Sequence, residues 1–471
     1  MRRYLTTTLP YVNADPHLGH ALEFVEADCF VRALRARGDE VFFNIGTDEH
    51  GAKVAKRAKE SHKVPKAFVD FYAQQFDTFA RRLTISHDVF LRTTDPKHEA
   101  AAQEMWRRSK ASGDIYKADY EVKYCIGCEL EKTDSELVDG KCPLHPNLEI
   151  ETRKEENYFF RFSKYQDALL KHYESHPDFV MPRARLHEIT AFVKAGLKDF
   201  SISRPKEKLS WGITVPGDDT HIMYVWFDAL VSYLSAIGWP EDEAMFKKWW
   251  PVTHFAGKDN LRQQSAMFQA MLLSAGLPLS RQVFIHGMIT LAGQKMSKSL
   301  GNVVDPLLIA DKYGVDALRY VLLRHAHPFE DTDFTEELIH ELYTANLVNG
   351  LGNLVARVMK LAEAYLEPVK LRPEDTSIES AFFEKIEAFR FNDAMDLVWE
   401  HVAKGDAYMT TEEPYKKIKS EPDEAKRVIG KLVRHLAKLA THLEPAMPAT
   451  AEIILNAVRL NKKPENLFPR I

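Results

Sequence analysis

Two histidines three residues apart, His17 and His20, stand near the amino terminus in the run HLGH. Residues with this spacing lie on one face of a helix, and the backbone N–H groups at the start of a helix favour phosphate. If a helix begins here, the pair could hold a triphosphate. The alternative is a pair of capping or surface histidines, and the motif alone has little specificity.

A second set of groups suited to polyphosphate lies in the segment GQKMSKSLGN, residues 293–302, where two lysines and two serines stand between glycines. Glycines allow a loop to close over a ligand, and paired cations can stabilise the charge that develops on departing pyrophosphate. A solvated lysine loop is the alternative. The sequence has no GxxxxGK[ST] segment, which argues against a P-loop kinase or ATPase.

Three cysteines and one histidine have the spacing of a metal site: Cys125-x2-Cys128-x13-Cys142-x2-His145. Two pairs of soft ligands predict a closed tetrahedral zinc site, and the zinc should be structural because four protein ligands leave no position open. Buried free thiols are the alternative. The remaining cysteine, Cys29, falls on the apolar face of a predicted helix and should pack in a core.

Strands and helices must bring these groups together. The opening RRYLTTTLPYV is typical of a strand, Asp15-Pro16 offers the cap and first residue of a helix that would run to Gly38, and residues 41–45 form a second strand. This order indicates a doubly wound nucleotide-binding sheet with ligands beyond the carboxyl ends of its strands. HLGH and GTDEHG, residues 46–51, would occupy those ends.

Further along the chain the apolar pattern changes twice. A stretch of short strands and turns indicates an insertion, after which parallel strands are predicted at 223–227, 252–256 and 283–285. From about residue 335 the spacing becomes helical, which predicts a helix bundle. The two predicted apolar stripes of the bundle are Leu338, Leu342, Ala345, Leu351, Val355 and Val358, and Val428, Leu432, Leu436 and Leu439.

HLGH followed by KMSKS resembles the two signatures of the class I aminoacyl-tRNA synthetases. Other stretches resemble the methionyl-tRNA synthetases in particular and extend the resemblance over nearly the whole chain: LPYVNADPHLGH, GTDEHG, YVWFDALVSY, HFAGKDN, HGMITLAGQKMSKSLGN and the closing LFPRI. The resemblance implies an α/β class I fold, a Rossmann-like parallel sheet split by a zinc-bearing insertion and followed by an all-α anticodon-binding bundle. The corresponding segments are 1–114 and 223–292 for the two catalytic halves, 115–222 for the insertion, 293–336 for the KMSKS loop and stem-contact segment, and 337–471 for the bundle.

The same resemblance implies an activity. Methionine and ATP would form methionyl-adenylate and pyrophosphate, and the methionyl group would pass to the terminal ribose of tRNA(Met), with Mg²⁺ accompanying ATP. The implied catalytic residues are His17, His20, Lys295 and Lys298. The implied ATP-binding residues are Lys258, Asp259, His286, Gly287, Met288, Ser297 and Ser299.

A methionine pocket needs apolar and aromatic walls for the thioether and an acid for the ammonium group. The residues that match the family's pocket are Leu9, Tyr11, Trp226, Ala229 and Tyr233, with Asp48 as the carboxylate. Trp226 and Tyr233 would otherwise be ordinary core aromatics. Gln264 stands where many members have a histidine that contacts the substrate, a departure that bears on the shape of the pocket.

The predicted bundle contains a segment that resembles the family's anticodon helix. Asn353 and Arg357 lie four apart and would share a face that reads unpaired base edges, and Tyr415 stands where many relatives have tryptophan and could stack a base. Outside this context such a polar pair is usually just solvated. By resemblance the zinc-bearing insertion lies near the acceptor end of the tRNA.

Composition sets the remaining expectations. The 471 residues are 45% hydrophobic and 28% charged with a net charge of -5, and we find neither a signal peptide nor a run long enough to span a membrane. Four cysteines without a disulfide pattern favour the cytoplasm, and the absence of an appended module after LFPRI favours a monomer. Another class I synthetase and a degenerate RNA-binding scaffold remain as rivals, although the intact histidines and lysines argue against the scaffold.

Overall fold

The computed structural model describes residues 1–128, 130–132, 136–291, 294–295 and 304–471. The strands, in chain order, are β1 (Arg2–Thr6), β2 (Glu40–Thr47), β3 (Val89–Arg92), β4 (Ile115–Cys125), β5 (Leu130–Lys132), β6 (Ile150–Phe160), β7 (Val180–Met181), β8 (Phe200–Ser201), β9 (Ser203–Pro205), β10 (Thr214–Val215), β11 (Asp218–Met223), β12 (Val252–Gly257), β13 (Gln282–His286), β14 (Ile289–Leu291), β15 (Gln294–Lys295) and β16 (Thr332–Asp333).

The α-helices are α1 (Leu18–Ala36), α2 (Ala52–Glu60), α3 (Pro65–Arg82), α4 (Pro96–Ala111), α5 (Gln166–Ser175), α6 (Arg183–Lys194), α7 (Val225–Ala229), α8 (Ser232–Ser235), α9 (Glu243–Trp249), α10 (Phe268–Ser274), α11 (Pro306–Tyr313), α12 (Val315–His325), α13 (Glu336–Leu342), α14 (Asn353–Tyr365), α15 (Ser380–Glu387), α16 (Phe391–Glu412), α17 (Pro414–Ser420), α18 (Pro422–Leu443) and α19 (Pro448–Leu460). Two π-helices, Gln263–Met267 and Tyr343–Gly352, precede α10 and α14. In the part of the chain that the structure describes, no helix has both the length and the apolar character needed to cross a membrane.

The central sheet has the order β3-β2-β1-β12-β13-β7, and every neighbouring pair is parallel. The chain moves outward from β1 through β2 to β3 and later outward on the other side from β12 to β13. The strand order therefore reverses between β1 and β12, and a ligand crevice is expected beyond their carboxyl ends. The predicted Rossmann-like sheet, split by an insertion and followed by helices, is confirmed.

Between β3 and β12 the chain forms two antiparallel sheets, β5-β4-β6-β8 and β10-β11-β9. The long hairpin of β4 and β6 carries the cysteine cluster at its far end. One short strand from the predicted insertion, β7, instead pairs with β13 at the edge of the central sheet. The insertion therefore returns to the sheet once before it ends, and the exact segment boundaries stay a prediction.

Two local predictions were wrong. The helix predicted from Asp15-Pro16 begins two residues later, because the His17 side chain caps it by accepting from the backbone N–H of Gly19. The apolar run 223–227 is not a parallel strand: β11 ends at Met223 in an antiparallel sheet, and α7 follows. A short apolar run fits a buried strand and a buried helix equally well.

The bundle stripe on α18 is confirmed, since Val428, Leu432, Leu436 and Leu439 are all buried. The first predicted stripe is wrong at Ala345, which is exposed, while Tyr343 and Leu347 are buried in its place. The cause is the π-helix, whose wider turn shifts which residues face the core.

Arg319 joins the bundle to the catalytic half of the molecule. The side chain of Arg319 on α12 is fully buried, and its guanidinium donates to Asp28 of α1 at 2.7 Å and to the Ala446 carbonyl at 2.7 Å. The Asp28 carboxylate also accepts from Arg32, and these cations lower its pKa despite burial, which by itself would raise it. Cys29 lies next to this network and packs in the core, as predicted.

Candidate active site and metal cluster

The predicted site residues gather at the carboxyl ends of four parallel strands. Tyr11 follows β1, Asp48 follows β2, Lys258 follows β12, and Gly287 follows β13. Asp48 and Tyr11 are joined by an isolated parallel bridge, and Gly257 at the end of β12 lies beside His286 of β13. The sheet therefore brings sequence-distant residues to the crevice where its strand order reverses.

His17 and His20 form a stacked pair at the start of α1. Their ring centroids lie 3.7 Å apart with an interplanar angle of 17°. The Nδ1 atom of His17 accepts from the N–H of Gly19 at 3.1 Å, and Nδ1 of His20 accepts from the N–H of His17 at 3.2 Å. Both half-buried rings thus sit at the positive end of the helix dipole, the position that the spacing predicted for phosphate.

The candidate methionine pocket combines side chains from three parts of the chain. The rings of Tyr11 and Trp226 meet edge to face with centroids 6.5 Å apart. Leu9 is half-buried beside this segment, and Ala229, at the end of α7, is buried. Tyr233 is 2% exposed and lies deeper, with its ring against His254 at a centroid distance of 4.6 Å. Asp48 is also buried, which suits a carboxylate that binds a cation out of water.

Gln264 contacts the pocket through Tyr233. Its Nε2 donates to the Tyr233 hydroxyl at 2.6 Å, and the residue lies in the π-helix that precedes α10. The Gln264 carbonyl accepts from the Gln269 side chain at 2.7 Å. The position that departs from the family pattern is therefore anchored from both its side chain and its backbone.

Sequence reasoning missed a buried histidine–aspartate–histidine group beneath the pocket. The Asp228 carboxylate lies 2.6 Å from Nδ1 of His50 and 2.6 Å from Nε2 of His98, and all three side chains are almost completely buried. The two histidines lower the pKa of Asp228 although burial opposes this shift, and Asp228 raises the pKa of His50. Asp228 lies between Trp226 and Ala229 on α7, so this group fixes the helix that carries two pocket residues. The histidine of GTDEHG and the acid of VWFDA were the available signals.

Glu49, next to Asp48, was also missed. Its carboxylate accepts from Arg92 through two hydrogen bonds of 2.6 and 2.8 Å, and its backbone carbonyl accepts from the Trp211 indole at 2.6 Å. Arg92 belongs to β3 and Trp211 to the inserted segment. These bonds hold the backbone next to Asp48 in place between the sheet and the insertion.

On the other side of the crevice, Lys258 forms an ion pair with Asp331, whose second oxygen accepts from the backbone N–H of Met288 at 2.9 Å. Asp259 lies beside Lys258 in a single 3-10 turn. A Cβ atom on Gly287 would come within 1.9 Å of the Glu330 carbonyl oxygen, so only glycine allows these two backbone segments to meet. The predicted nucleotide-binding residues 258, 259 and 286–288 are therefore brought together here, with Asp331 as an addition.

His286 ends β13 and connects this side of the crevice to α1. Its Nε2 lies 3.0 Å from the Glu23 carboxylate, which also accepts from Thr8. Burial would lower the pKa of His286, but Glu23 raises it to about 9. Glu26, one turn further along α1, is fully buried, and burial raises its pKa to about 8. At neutral pH the His286 imidazole is thus protonated, and so is the Glu26 carboxyl.

We expect Glu26→Gln to flatten the pH dependence of stability. Between pH 4.5, the ordinary pKa, and about 8, the folded state holds one proton more than the unfolded state at this position, so the free energy of unfolding falls as pH rises. The slope from one group is about 1.4 kcal/mol per pH unit. Urea unfolding across this range measures it, with Glu367→Gln at an exposed position as control. An unchanged slope in Glu26→Gln would contradict the assignment.

Part of the predicted KMSKS motif lies outside the described residues. Ser297, Lys298 and Ser299 fall there, and for Lys295 only the backbone is described. That backbone belongs to β15, which pairs with β14 so that Lys295 lies opposite Thr290. β14 follows directly after Met288, so the backbone of Lys295 lies next to the nucleotide side of the crevice.

The predicted metal ligands converge at the end of the β4–β6 hairpin. The donor atoms of Cys125, Cys128, Cys142 and His145 all lie within 4.8 Å of one another. Cys128 Sγ lies 3.4 Å from Cys142 Sγ and 3.2 Å from His145 Nδ1. Ligand atoms that each lie about 2.3 Å from one tetrahedral ion are roughly 3.8 Å apart, so these donor atoms are slightly closer together than they would be around a bound ion. A Cβ on Gly127 would lie 2.3 Å from the His145 ring. The cluster can hold a metal ion.

The three predicted anticodon residues lie on the helix bundle. Asn353 begins α14 and is exposed, and Arg357 lies one turn later, where it pairs with Asp406 of α16 at 2.9 Å. Tyr415, at the second position of α17, is 43% exposed and donates to Glu413 at 3.2 Å. Two polar side chains and an aromatic ring are thus available at the surface of the bundle.

Comparison with known proteins first defines the class. Residues 3–149 and 146–359 match the family model described as tRNA synthetases class I (M). Together with the sheet topology and the histidine pair at its switch point, this match defines a class I aminoacyl-tRNA synthetase.

Individual relatives define the family more closely. The methionine–tRNA ligase of Thermotoga maritima is 39% identical over 98% of this chain and 76% of its own length, and that of Mesorhizobium japonicum is 36% identical over 99% and 97%. The structure of Mycobacterium tuberculosis methionyl-tRNA synthetase bound by methionyl-adenylate superposes with a TM-score of 0.90 at 34% identity, covering 100% of this chain and 99% of that one. The chain belongs to the methionyl-tRNA synthetase family of enzymes.

Proposed function

We propose that this protein is a methionine–tRNA ligase that activates L-methionine with ATP and transfers the methionyl group to the 3′ end of tRNA(Met), releasing AMP and diphosphate. The observation that carries the proposal is the crevice at the switch point of the sheet. It joins an aromatic pocket with a buried carboxylate to a histidine pair at a helix start. The relatives named methionine–tRNA ligase support the same reaction.

The chemistry that this site must perform is mainly positioning. The methionine carboxylate attacks the α-phosphorus of ATP, so the protein holds the two substrates in line and stabilises the charge that develops on the phosphates. We assign Asp48 to the methionine ammonium group and Tyr11, Trp226 and Ala229, with Leu9, Tyr233 and Gln264, to its side chain. His17 and His20 would bind the phosphates of the magnesium complex of ATP from the positive end of α1.

The remaining nucleotide contacts would come from residues on the other side of the crevice. We assign Lys258 and Asp259 to the ribose and phosphate, and His286, Gly287 and Met288 to the adenine, because these residues lie together on this side of the crevice. We assign Lys295, Ser297, Lys298 and Ser299 to the pyrophosphate, where lysine cations and serine hydroxyls can stabilise its charge.

ATP–pyrophosphate exchange measured with each standard amino acid in turn tests this function. We expect rapid exchange with methionine alone, because the pocket joins aromatic walls to a buried acid at the ammonium position. Faster exchange with leucine or cysteine would overturn the assignment. Asp48→Asn should raise the methionine KM, whereas Asp219→Asn at an exposed position of β11 should leave it unchanged.

For the insertion we propose a single structural zinc ion held by Cys125, Cys128, Cys142 and His145. Three thiolates and an imidazole suit zinc, and four protein ligands close its coordination sphere. The ion would fold the end of the hairpin, far along the β4–β6 ladder from the crevice. Metal analysis of freshly purified protein should therefore find zinc, and its loss should impair tRNA charging more than adenylate formation.

For the bundle we propose that Asn353, Arg357 and Tyr415 read the CAU anticodon. Unpaired bases are recognised by hydrogen bonds to their edges and by stacking on aromatic rings, each stack contributing roughly 1 to 3 kcal/mol. Arg357 would exchange its pairing with Asp406 for a base edge. The tRNA would thus contact the chain at the bundle as well as at the crevice.

Arg357→Ala should lower kcat/KM for charging tRNA(Met) by about tenfold or more, since a bidentate base contact is worth about 1 to 3 kcal/mol. Exchange without tRNA should stay close to normal, because activation does not use the bundle. Arg459→Ala on α19 removes a comparable exposed guanidinium and serves as control. If Arg357→Ala charged tRNA normally, or impaired adenylate formation equally, Arg357 would be a structural residue.

The cellular setting completes the proposal. We propose a cytoplasmic protein, because none of its four cysteines forms a disulfide and its proposed partners are ATP, methionine and tRNA.

A further inference from the structure

A second group of potential metal ligands lies in the helix bundle, away from the cysteine cluster. Glu379 immediately precedes α15, His401 lies on α16, and His442 lies near the end of α18. One donor atom from each comes within 4.8 Å of the others. We propose that Glu379, His401 and His442 bind a divalent transition-metal ion, with zinc or cobalt as suitable members of this class.

The side chains are already oriented as ligands. Nδ1 of His442 donates to the Lys438 carbonyl at 2.8 Å, which leaves the lone pair on Nε2, the arrangement that metal-binding histidines commonly use. Nε2 of His401 lies 3.5 Å from the Glu379 carboxylate, and the two imidazole rings lie 5.1 Å apart. Nε2 of His442 now accepts from the Glu379 backbone N–H at 3.1 Å, a bond that the ion would replace.

Burial and access also suit a bound ion. His442 is fully buried and the His401 side chain is 10% exposed, whereas the Glu379 side chain is 38% exposed. The carboxylate therefore forms the open side through which an ion can enter and water can complete its coordination.

Lys438 places a positive charge beside the carboxylate of the cluster. Its Nζ lies 2.8 Å from Glu379 Oε1, so an ammonium group now neutralises the carboxylate at the mouth of the cluster. A divalent ion bound between the carboxylate and the imidazoles would repel this ammonium group and displace it. Lysine and metal should therefore compete, and removing the lysine should strengthen metal binding.

The ligand set indicates which ions fit. Imidazole suits zinc, copper, nickel and cobalt, whereas one carboxylate is too few for calcium or magnesium. A site with three protein ligands and a competing lysine should bind its ion more weakly than the three thiolates and imidazole at the β4–β6 hairpin bind theirs. The bound ion would tie α15, α16 and α18 together and stabilise the folded bundle by mass action.

Cobalt titration of the full chain, with zinc already bound at the cysteine cluster, tests the site. We expect one further equivalent of Co²⁺, followed by its visible d–d absorption and by metal analysis after equilibrium dialysis. Glu379→Gln and His442→Ala should each weaken this binding beyond the about 10- to 100-fold typical for loss of an outer-shell partner. Lys438→Met should strengthen it, and His340→Ala, at an exposed position of α13, should not change it.

These variants should change the Co²⁺ affinity in opposite directions, which separates an effect on binding from an effect on folding. A variant that merely unfolds the bundle loses its helical circular dichroism and cannot bind Co²⁺ more tightly, as Lys438→Met is expected to do. The inference is overturned if neither the wild-type chain nor Lys438→Met takes up a second equivalent, or if Glu379→Gln binds as the wild type does. It is equally overturned if all bound Co²⁺ shows thiolate charge-transfer absorption, because the ion would then lie at the cysteine cluster.

Discussion

Lys298→Ala is expected to lower the turnover number for adenylate formation by about two orders of magnitude or more, the scale seen when one strong electrostatic contact is removed from a reacting centre. The charge on pyrophosphate develops as it departs, so the Lys298 cation should stabilise the transition state more than the bound substrates. Pre-steady-state measurement of adenylate formation separates this step from product release. Methionine affinity should change little.

Lys312→Ala provides the matched control. Lys312 lies on α11 soon after the loop and pairs with Glu336 at the surface, so its removal changes the net charge equally without touching the phosphates. We expect its turnover to stay close to that of the wild type. If Lys298→Ala retained its turnover and lost only ATP affinity, the loop would be a binding element and the catalytic assignment of Lys298 would fail.

Asp228→Ala is expected to lower the free energy of unfolding by about 3 to 5 kcal/mol, the usual cost of breaking a buried ion pair by removing one partner. The change leaves His50 and His98 facing each other without the carboxylate that now lies 2.6 Å from each. Because α7 would lose its anchor, Trp226 and Ala229 should shift, and the methionine KM should rise. Denaturant unfolding and ATP–pyrophosphate exchange measure the two effects.

The conservative Asp228→Asn variant separates stability from positioning. An amide can accept from one histidine only, so it should retain part of the stability and still raise the methionine KM. Asp219→Ala on β11 removes an exposed carboxylate from a nearby segment and should change neither quantity. Wild-type stability together with a wild-type methionine KM in Asp228→Ala would show that the buried group does not position the pocket.

The sequence was sufficient wherever a property depends on neighbours along the chain. Short apolar runs located β1, β2, β12 and β13, and the 3.6-residue periodicity located the stripe on α18, because each of these signals arises from residues that are close together along the chain. The Cys-x2-Cys and Cys-x2-His pairs predicted their own convergence, since short turns confine each pair to one ion. The strand–helix–strand order likewise predicted the crevice at the carboxyl ends.

Tertiary structure decided what depends on partners far along the chain. No local pattern distinguishes Val225–Ala229 as a strand or a helix, and its helical form goes with the burial of Asp228 between His50 and His98. Helix α1 starts at Leu18 because the His17 imidazole caps it, and periodicity does not encode such a side-chain cap. The stripe around Ala345 is shifted because of a π-turn, which periodicity does not encode either. Folding also decided the roles of several acids and histidines, because those roles depend on residues far along the chain: Glu49, Asp228, Asp331 and the Glu379–His401–His442 group. An isolated acid or histidine gives the same local sequence signal whether it is solvated or buried in a network.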